Sequence, residues 1–190
     1  SAVVLTGWAG QLSLGQYAFA GVGAFMTAYY AESLNYFLAL GIGVLWGILV
    51  ALIVGIPALR IKGLYLGIAT LGFSLVAGRW ILSIDRLNTN VAGGAKVKPP
   101  VLFGRYDLRT DKEAYYYLCV AAVAVVIYLL WRMRRSGIGR TLIAVRDNEM
   151  TASAYTISPT RAKLIAFAVS GGIGALAGGI LVPATGSLRS

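Results

Sequence analysis

The sequence predicts an all-α fold: a single domain over residues 1–190, built as a polytopic transmembrane helix bundle with glycine-rich packing and a polar helical segment on its cytoplasmic side. Three observations lead there. Apolar runs of the length needed to cross a hydrocarbon core, about 20 residues in a helix, recur along the chain. Hydrophobic residues make up 58% of the sequence and charged ones 13%, with mean hydropathy +0.74, whereas soluble domains carry about 45–50% and about 25%. The segment from Ser136 to Lys163, set between two such runs, is too apolar for a plain linker and too polar to cross a bilayer.

Taken in order, Ser1–Trp8 reads as the tail of a helix whose start is missing. The chain opens in an apolar stretch with no Met, no basic leader and no cleavage site, so it reads as a piece of a longer protein rather than one with a signal peptide. The first full span is expected at 14–31. Its entrance, Thr6 to Gln16, mixes Gly7, Gly10 and Gly15 with Gln11 and Ser13. Irregular backbone at membrane depth is tolerated only where protein or a wet cavity surrounds it, so one reading is a broken helix facing a polar solute, as in transporters. The other is a corner at the membrane surface with Gln11 and Gln16 solvated.

The second span is expected at 34–59 and the third at 64–83. Arg79 is the charge inside the third, near its outer end. An ionisable residue there is a functional candidate by default, but snorkelling to the interface accounts for it more simply, with Asp85 and Arg86 beside it. The outer loop, 84–113, carries Asn88, Gly93, Gly94, Pro99 and Pro100, which mark turns. It reads as a connector, with contact to an external solute-delivery protein as the alternative. Spans at 114–131 and 164–185 complete the set. Gly43-x-x-x-Gly47, Gly63-x-x-x-Gly67 and Gly174-x-x-x-Gly178 place small residues where helix backbones can approach in lipid, and Gly171, Gly172 and Gly179 extend the last stripe.

Orientation follows from the basic residues. Arg60 and Lys62 occupy a short turn, and Arg132, Arg134 and Arg135 end a span; both sites are expected in the cytoplasm. Two spans separate them, so they fall on the same side. The 84–113 loop is then outside, although it holds six Lys/Arg against four acids, a weak bias for that placement.

Within the insert, Thr141 to Tyr155 lacks Gly and Pro, and Pro159 follows as a stop signal. On a helical wheel Leu142, Val145, Glu149, Ala152 and Thr156 share one side, with Arg146, Asp147 and Ser153 on others. Mixed charge among small residues suits a helix held in a partner's groove. An amphipathic helix on anionic lipid is the alternative; Arg132 to Arg135 fit it, but Asp147 and Glu149 do not.

Several classes are excluded. The net charge of +10 is explained by basic residues beside apolar runs, so no nucleic acid partner is expected. There is no His, and the single Cys119 lies in an apolar run, which rules out a disulfide framework or a Cys/His metal site within the chain. No G-x-x-x-x-G-K-[ST] phosphate loop is present, so the chain is no enzyme by itself and no cofactor of its own is expected.

Three blocks, GWAGQLSLGQYAFAGVGAF (7–25), RIKGLYLGIATLGF (60–73) and SGIGRTLIAVRDNEMTASAYTISPTRAKLIAFAVSGGIGALAG (136–178), resemble the permease subunits of ABC importers for branched-chain amino acids. They are most similar to the second of the two permeases, the one with the longer outer loop, and the likeness covers nearly the whole chain. The resemblance implies a multi-pass bacterial inner-membrane permease carrying branched-chain or other apolar amino acids, with urea or short amides as an alternative substrate. It implies that 139–157 is the coupling helix, with Arg140, Leu142, Val145, Arg146, Asp147, Glu149, Ala152 and Ile157 meeting a cassette ATPase. The partners it implies are a homologous permease subunit, two ATPase subunits that hold ATP and Mg, an external solute-binding protein and membrane lipid. A path for the substrate's apolar side chain is expected along Phe19, Phe25, Leu66 and Phe73, with Gln11, Ser13 and Thr70 for its charged ends.

The family's coupling segment usually carries a glycine where this chain has Thr156, which puts the exit turn in doubt. The family also has more spans than this chain supplies. Two other classes compete. A secondary carrier needs ion-coupling carboxylates within its spans, and only Glu32, at a span end, is available. A passive channel needs no partner and gives no reason for the 139–157 helix.

Overall fold

Small residues at three facing helix surfaces set the architecture. A computed structural model describes residues 3–8, 15–31, 33–58, 67–68, 70–76, 101–102, 106–107, 112–155 and 158–185. A π-helical segment, Val3–Trp8, is followed by α1 (Gln16–Ala31), α2 (Tyr36–Ala58), α3 (Lys112–Arg135), α4 (Gly137–Asp147), α5 (Glu149–Ala154) and α6 (Pro159–Thr185). Residues 67–68 and 70–76 are also helical. In the stretch read as an outer loop, β1 (Val101–Leu102) pairs antiparallel with β2 (Tyr106–Asp107), with Val101 opposite Asp107 and Leu102 opposite Tyr106.

Helices α1, α2 and α6 pack on one another as a three-helix core. The contacts at the seam fix their directions. Residues 16, 20 and 27 of α1 meet residues 170, 178 and 179 of α6, so these two run parallel. Residues 36, 47 and 55 of α2 meet 179, 175 and 167 of α6, so α2 runs antiparallel to both. A Cβ on Gly23 would meet the Ala175 backbone, and one on Gly178 would meet the Ala20 carbonyl. The Gly43–Gly47 pair divides its work, the first facing Thr27 and Gly23 of α1 and the second facing Ala175 and Gly171 of α6. Lipid tails are as apolar as the helices, so close backbone packing of this kind supplies the association that a hydrophobic driving force provides in water.

Among the described residues, three helices are long and apolar enough to cross a membrane: Tyr36–Pro57, Glu113–Arg135 and Pro159–Pro183. Helix α6, with 27 residues, extends about 40 Å. Helix α1 has 16 residues and extends about 24 Å, short of the hydrocarbon core. Its first residue explains where it sits. Gln16 Nε2 donates to Ser170 Oγ at 2.9 Å, and Ser170 lies eleven residues after Pro159 in α6. Helix α1 therefore begins about 16 Å along α6, level with its middle, and Gln16 is part-buried there rather than solvated at a surface corner.

Helix α3 has a different environment. Its apolar window buries no residue within the described structure. It touches α6 at the top, where Tyr115 Oη donates to the Ile180 carbonyl at 3.1 Å, and at the bottom, where Leu130 and Met133 join the cluster around Phe167.

Candidate docking and translocation site

The polar insert folds back beneath α3. Ser136 has an extended backbone (φ −79°, ψ 170°) and stands ahead of α4, and its hydroxyl donates to the Met133 carbonyl at 2.6 Å. A side chain at Gly139 would meet Arg134 backbone atoms at 2.6 Å, so glycine is what lets α4 lie against the end of α3.

The helix expected to run unbroken through 141–155 is two helices. Asn148 is extended (φ −156°, ψ 103°), and its side-chain oxygen accepts the Thr151 amide at 3.0 Å. That is an N-cap, which satisfies one of the unpaired donors at the start of a helix. Glu149 then sits in the first turn of α5, where a negative charge is favoured. The Asn-Glu pair carried this signal in the sequence, hidden by the absence of Gly and Pro.

Burial divides the eight residues of the expected coupling surface. Leu142, Val145 and Ala152 are buried, packed with Val4, Leu5, Ala162, Ala166 and Phe167 in one cluster. Their shared stripe is covered by the chain itself. Arg140, Arg146, Asp147 and Glu149 are exposed, and two of these have internal partners. Arg146 Nη1 donates to the Gly7 carbonyl at 2.5 Å. Both carboxylate oxygens of Glu149 accept from Lys163 Nζ, at 2.9 and 2.8 Å, tying α5 to the first turns of α6. Ile157 lies outside the described residues, as does Thr156.

The residues that project furthest are ones the sequence reading passed over. Met150, in the first turn of α5, is 84% exposed and Tyr155, at its C-terminal end, 75%, with Asp147, Thr151 and Ser153 also exposed. Large apolar groups held in water on a short capped helix are the usual anchors of an interface. The signal was available: two large side chains, Met150 and Tyr155, at the ends of a stretch of small residues, Thr151 to Ala154.

Of the expected path residues, Phe19, Phe25, Thr70 and Phe73 fall within the described structure. Phe19 is buried against Gly174 in the three-helix core. Phe25 is half-buried and lies 6.3 Å from the Tyr29 ring, centroid to centroid. Thr70 is buried, its hydroxyl donating to the Gly67 carbonyl at 3.0 Å, and Phe73 is half-buried. Gln11, Ser13, Leu66 and Arg79 lie outside the described residues. Described polar groups in the three-helix seam include the reciprocal Gln16–Ser170 pair at mid-depth, with Ser170 also placed 3.3 Å from Gln16 Oε1, and Thr27, beside Gly179 nearer the end of α6. The Thr27 hydroxyl is fully buried with no hydrogen-bond partner among the described residues.

An apolar cavity of about 340 Å3 separates α3 from α6, lined by Tyr115, Cys119, Val123, Ile127, Leu176 and Ile180 among others. Its one hydroxyl is occupied by the Ile180 carbonyl. Among the described residues its lining carries no charged group. Among the described residues no three His, Cys, Asp or Glu side chains come together to hold a metal.

The whole chain, residues 1–190, matches the family described as "Branched-chain amino acid transport system / permease component". It is 29% identical over 204 aligned residues to the high-affinity branched-chain amino acid transport system permease protein LivM of Escherichia coli (strain K12), covering 92% of this chain and 47% of that protein. A probable branched-chain amino acid transport permease protein LivM of Methanocaldococcus jannaschii is 28% identical over 167 residues, covering 80% of this chain and 47% of the relative. The chain thus spans about half the length of the curated relatives it matches. No solved structure matches it.

Proposed function

The chain belongs to the family of branched-chain amino acid transport permease components, and from that premise we propose that it is the membrane-spanning subunit of an ATP-driven importer for branched-chain or other apolar amino acids in a bacterial inner membrane. Hydrolysis takes place on a separate cassette ATPase, and a solute-binding protein delivers the substrate from outside. A homologous permease completes the pathway.

In this reading α4 and α5 form the docking element, and Met150 and Tyr155 enter the ATPase cleft. The single observation that carries it is the pairing of a buried inner face, Leu142, Val145 and Ala152, with an outer face on which Met150 and Tyr155 are left uncovered by the chain. A plain connector has no use for such a face. A helix resting on lipid would direct Leu142 and Val145 into the membrane, yet they are already covered by protein. Closure of the ATPase moves the docked pair and rocks the attached spans.

The test is capture of the cassette ATPase by the full-length permease, native and with Met150→Asp and Tyr155→Asp together. Retention by the native protein and loss by the variant support docking at α5. Equal retention by both sinks it.

A further inference from the structure

The docking element has a second attachment besides the spans. The π-helical segment Val3–Trp8 lies against both α4 and α6, and two kinds of contact join it to α4. Val4 and Leu5 are fully buried in the cluster that holds Leu142 and Val145. Arg146, on the neighbouring face, donates to the Gly7 carbonyl. The last carbonyls of a helix have no partner within it, and a cation is the favoured partner there. Arg146 thus caps the end of a helix type that is rare and concentrated at functional places.

The position of that end matters. Helix α1 begins at Gln16, level with the middle of α6, where Gln16 and Ser170 exchange hydrogen bonds. The π-helical segment, held on the docking element, ends eight residues before that helix start in sequence, while α6 is committed to the seam with α1 and α2. A push on α4 reaches Gly7 without first dismantling that seam.

We infer that Arg146 is a positioning residue for transport: with Leu142 and Val145 it locks Val3–Trp8 to the docking element, so that movement of the docked helices is delivered to the chain ahead of α1. The inference rests on the docking reading above and deepens it. It assigns Arg146 to a contact within the permease, exposed as it is, rather than to the ATPase. Arg146, Gly7 and the Val4–Leu5 pair then move as one body with α4.

The experiment uses the full-length permease assembled with its ATPase and the other subunits in proteoliposomes, with radiolabelled leucine as probe, and reads leucine taken up per ATP hydrolysed. Arg146→Ala is expected to capture the ATPase like the native protein and still hydrolyse ATP, with uptake per ATP lowered tenfold or more. Arg146→Lys, which keeps a donor, is expected to retain most of it. In a Cys119→Ser background, Arg146→Cys is expected to uncouple, and bridging it to Gly7→Cys with a short bis-maleimide to restore coupling. An unchanged uptake per ATP in Arg146→Ala overturns the inference, as does a bridged pair that stays uncoupled. Loss of ATPase capture in Arg146→Ala also overturns it, since Arg146 would then be an ATPase contact. Failure of the native assembly to capture the ATPase or take up leucine is a separate outcome, and it removes the docking reading itself.

Discussion

Lys163 Nζ lies 2.8 Å from Glu149 Oε2, joining the six-residue α5 to the first turns of α6. The lysine side chain is 15% exposed and the glutamate 46%. A helix as short as α5 has little stability of its own. Its position rests on this ion pair, the Asn148 cap and the burial of Ala152. The pair sets where Met150 and Tyr155 point.

Exchanging the two charges tests that role. Glu149→Lys alone places two cations together and is expected to lower ATPase capture severalfold, in line with the roughly 0–1 kcal/mol of a partly exposed pair plus the added repulsion. Glu149→Lys with Lys163→Glu is expected to recover most of it. Binding of the ATPase to the three proteins, by titration in detergent, checks the expectation.

Deletion of the apolar anchors has a larger expected effect. Met150→Ala and Tyr155→Ala leave the core untouched, so thermal stability of the permease is expected to stay within experimental scatter. Affinity for the ATPase is expected to fall by about 2 kcal/mol at whichever side chain is the central anchor. Calorimetric unfolding and the same titration separate the two quantities.

The glycine seam makes a paired prediction about stability. A methyl at Gly178 meets the Ala20 carbonyl, whereas one at Gly41 meets nothing within 4 Å. Gly178→Ala is expected to cost about 1–3 kcal/mol through overpacking. Gly41→Ala is expected to be neutral, or stabilising by up to about 1 kcal/mol from helix propensity. Thermal unfolding of each purified variant is the measurement, and equal Tm values would falsify the seam.

At mid-depth, Ser170→Ala leaves the Gln16 amide without its partner. The expected cost is about 1 kcal/mol, between the average measured in membrane helices and that of a buried unsatisfied group in water. Gln16→Leu with Ser170→Ala removes both polar groups and is expected to cost less than the sum of the single changes. A double-mutant cycle on unfolding free energies measures the difference.

Much of the helical layout was legible because apolar run length is a direct readout of what a helix needs in lipid. The runs read at 34–59 and 164–185 contain α2 and most of α6. The glycine spacings of Gly43–Gly47 and Gly174–Gly178 pointed to close helix contact for the same reason. What covers a stripe was not legible. Leu142, Val145 and Ala152 share a face by periodicity, but periodicity is silent on whether a partner or the chain itself meets that face. Here it is Val4, Leu5 and Phe167, residues distant in sequence. The break at Asn148 carries no Gly or Pro, and an asparagine cap ends one helix while starting the next. Position along a span does not say which face a side chain occupies: Phe19 lies in the seam, where Gly174 makes room for it.

The most direct measurement is leucine uptake by liposomes that hold the full-length permease, with its ATPase, homologous permease and solute-binding protein added or withheld in turn. Uptake that requires ATP, and that Met150→Asp with Tyr155→Asp abolishes, is the expected result. Leucine entering at the same rate from the permease alone, without ATPase or ATP, would contradict it and establish a carrier or channel instead.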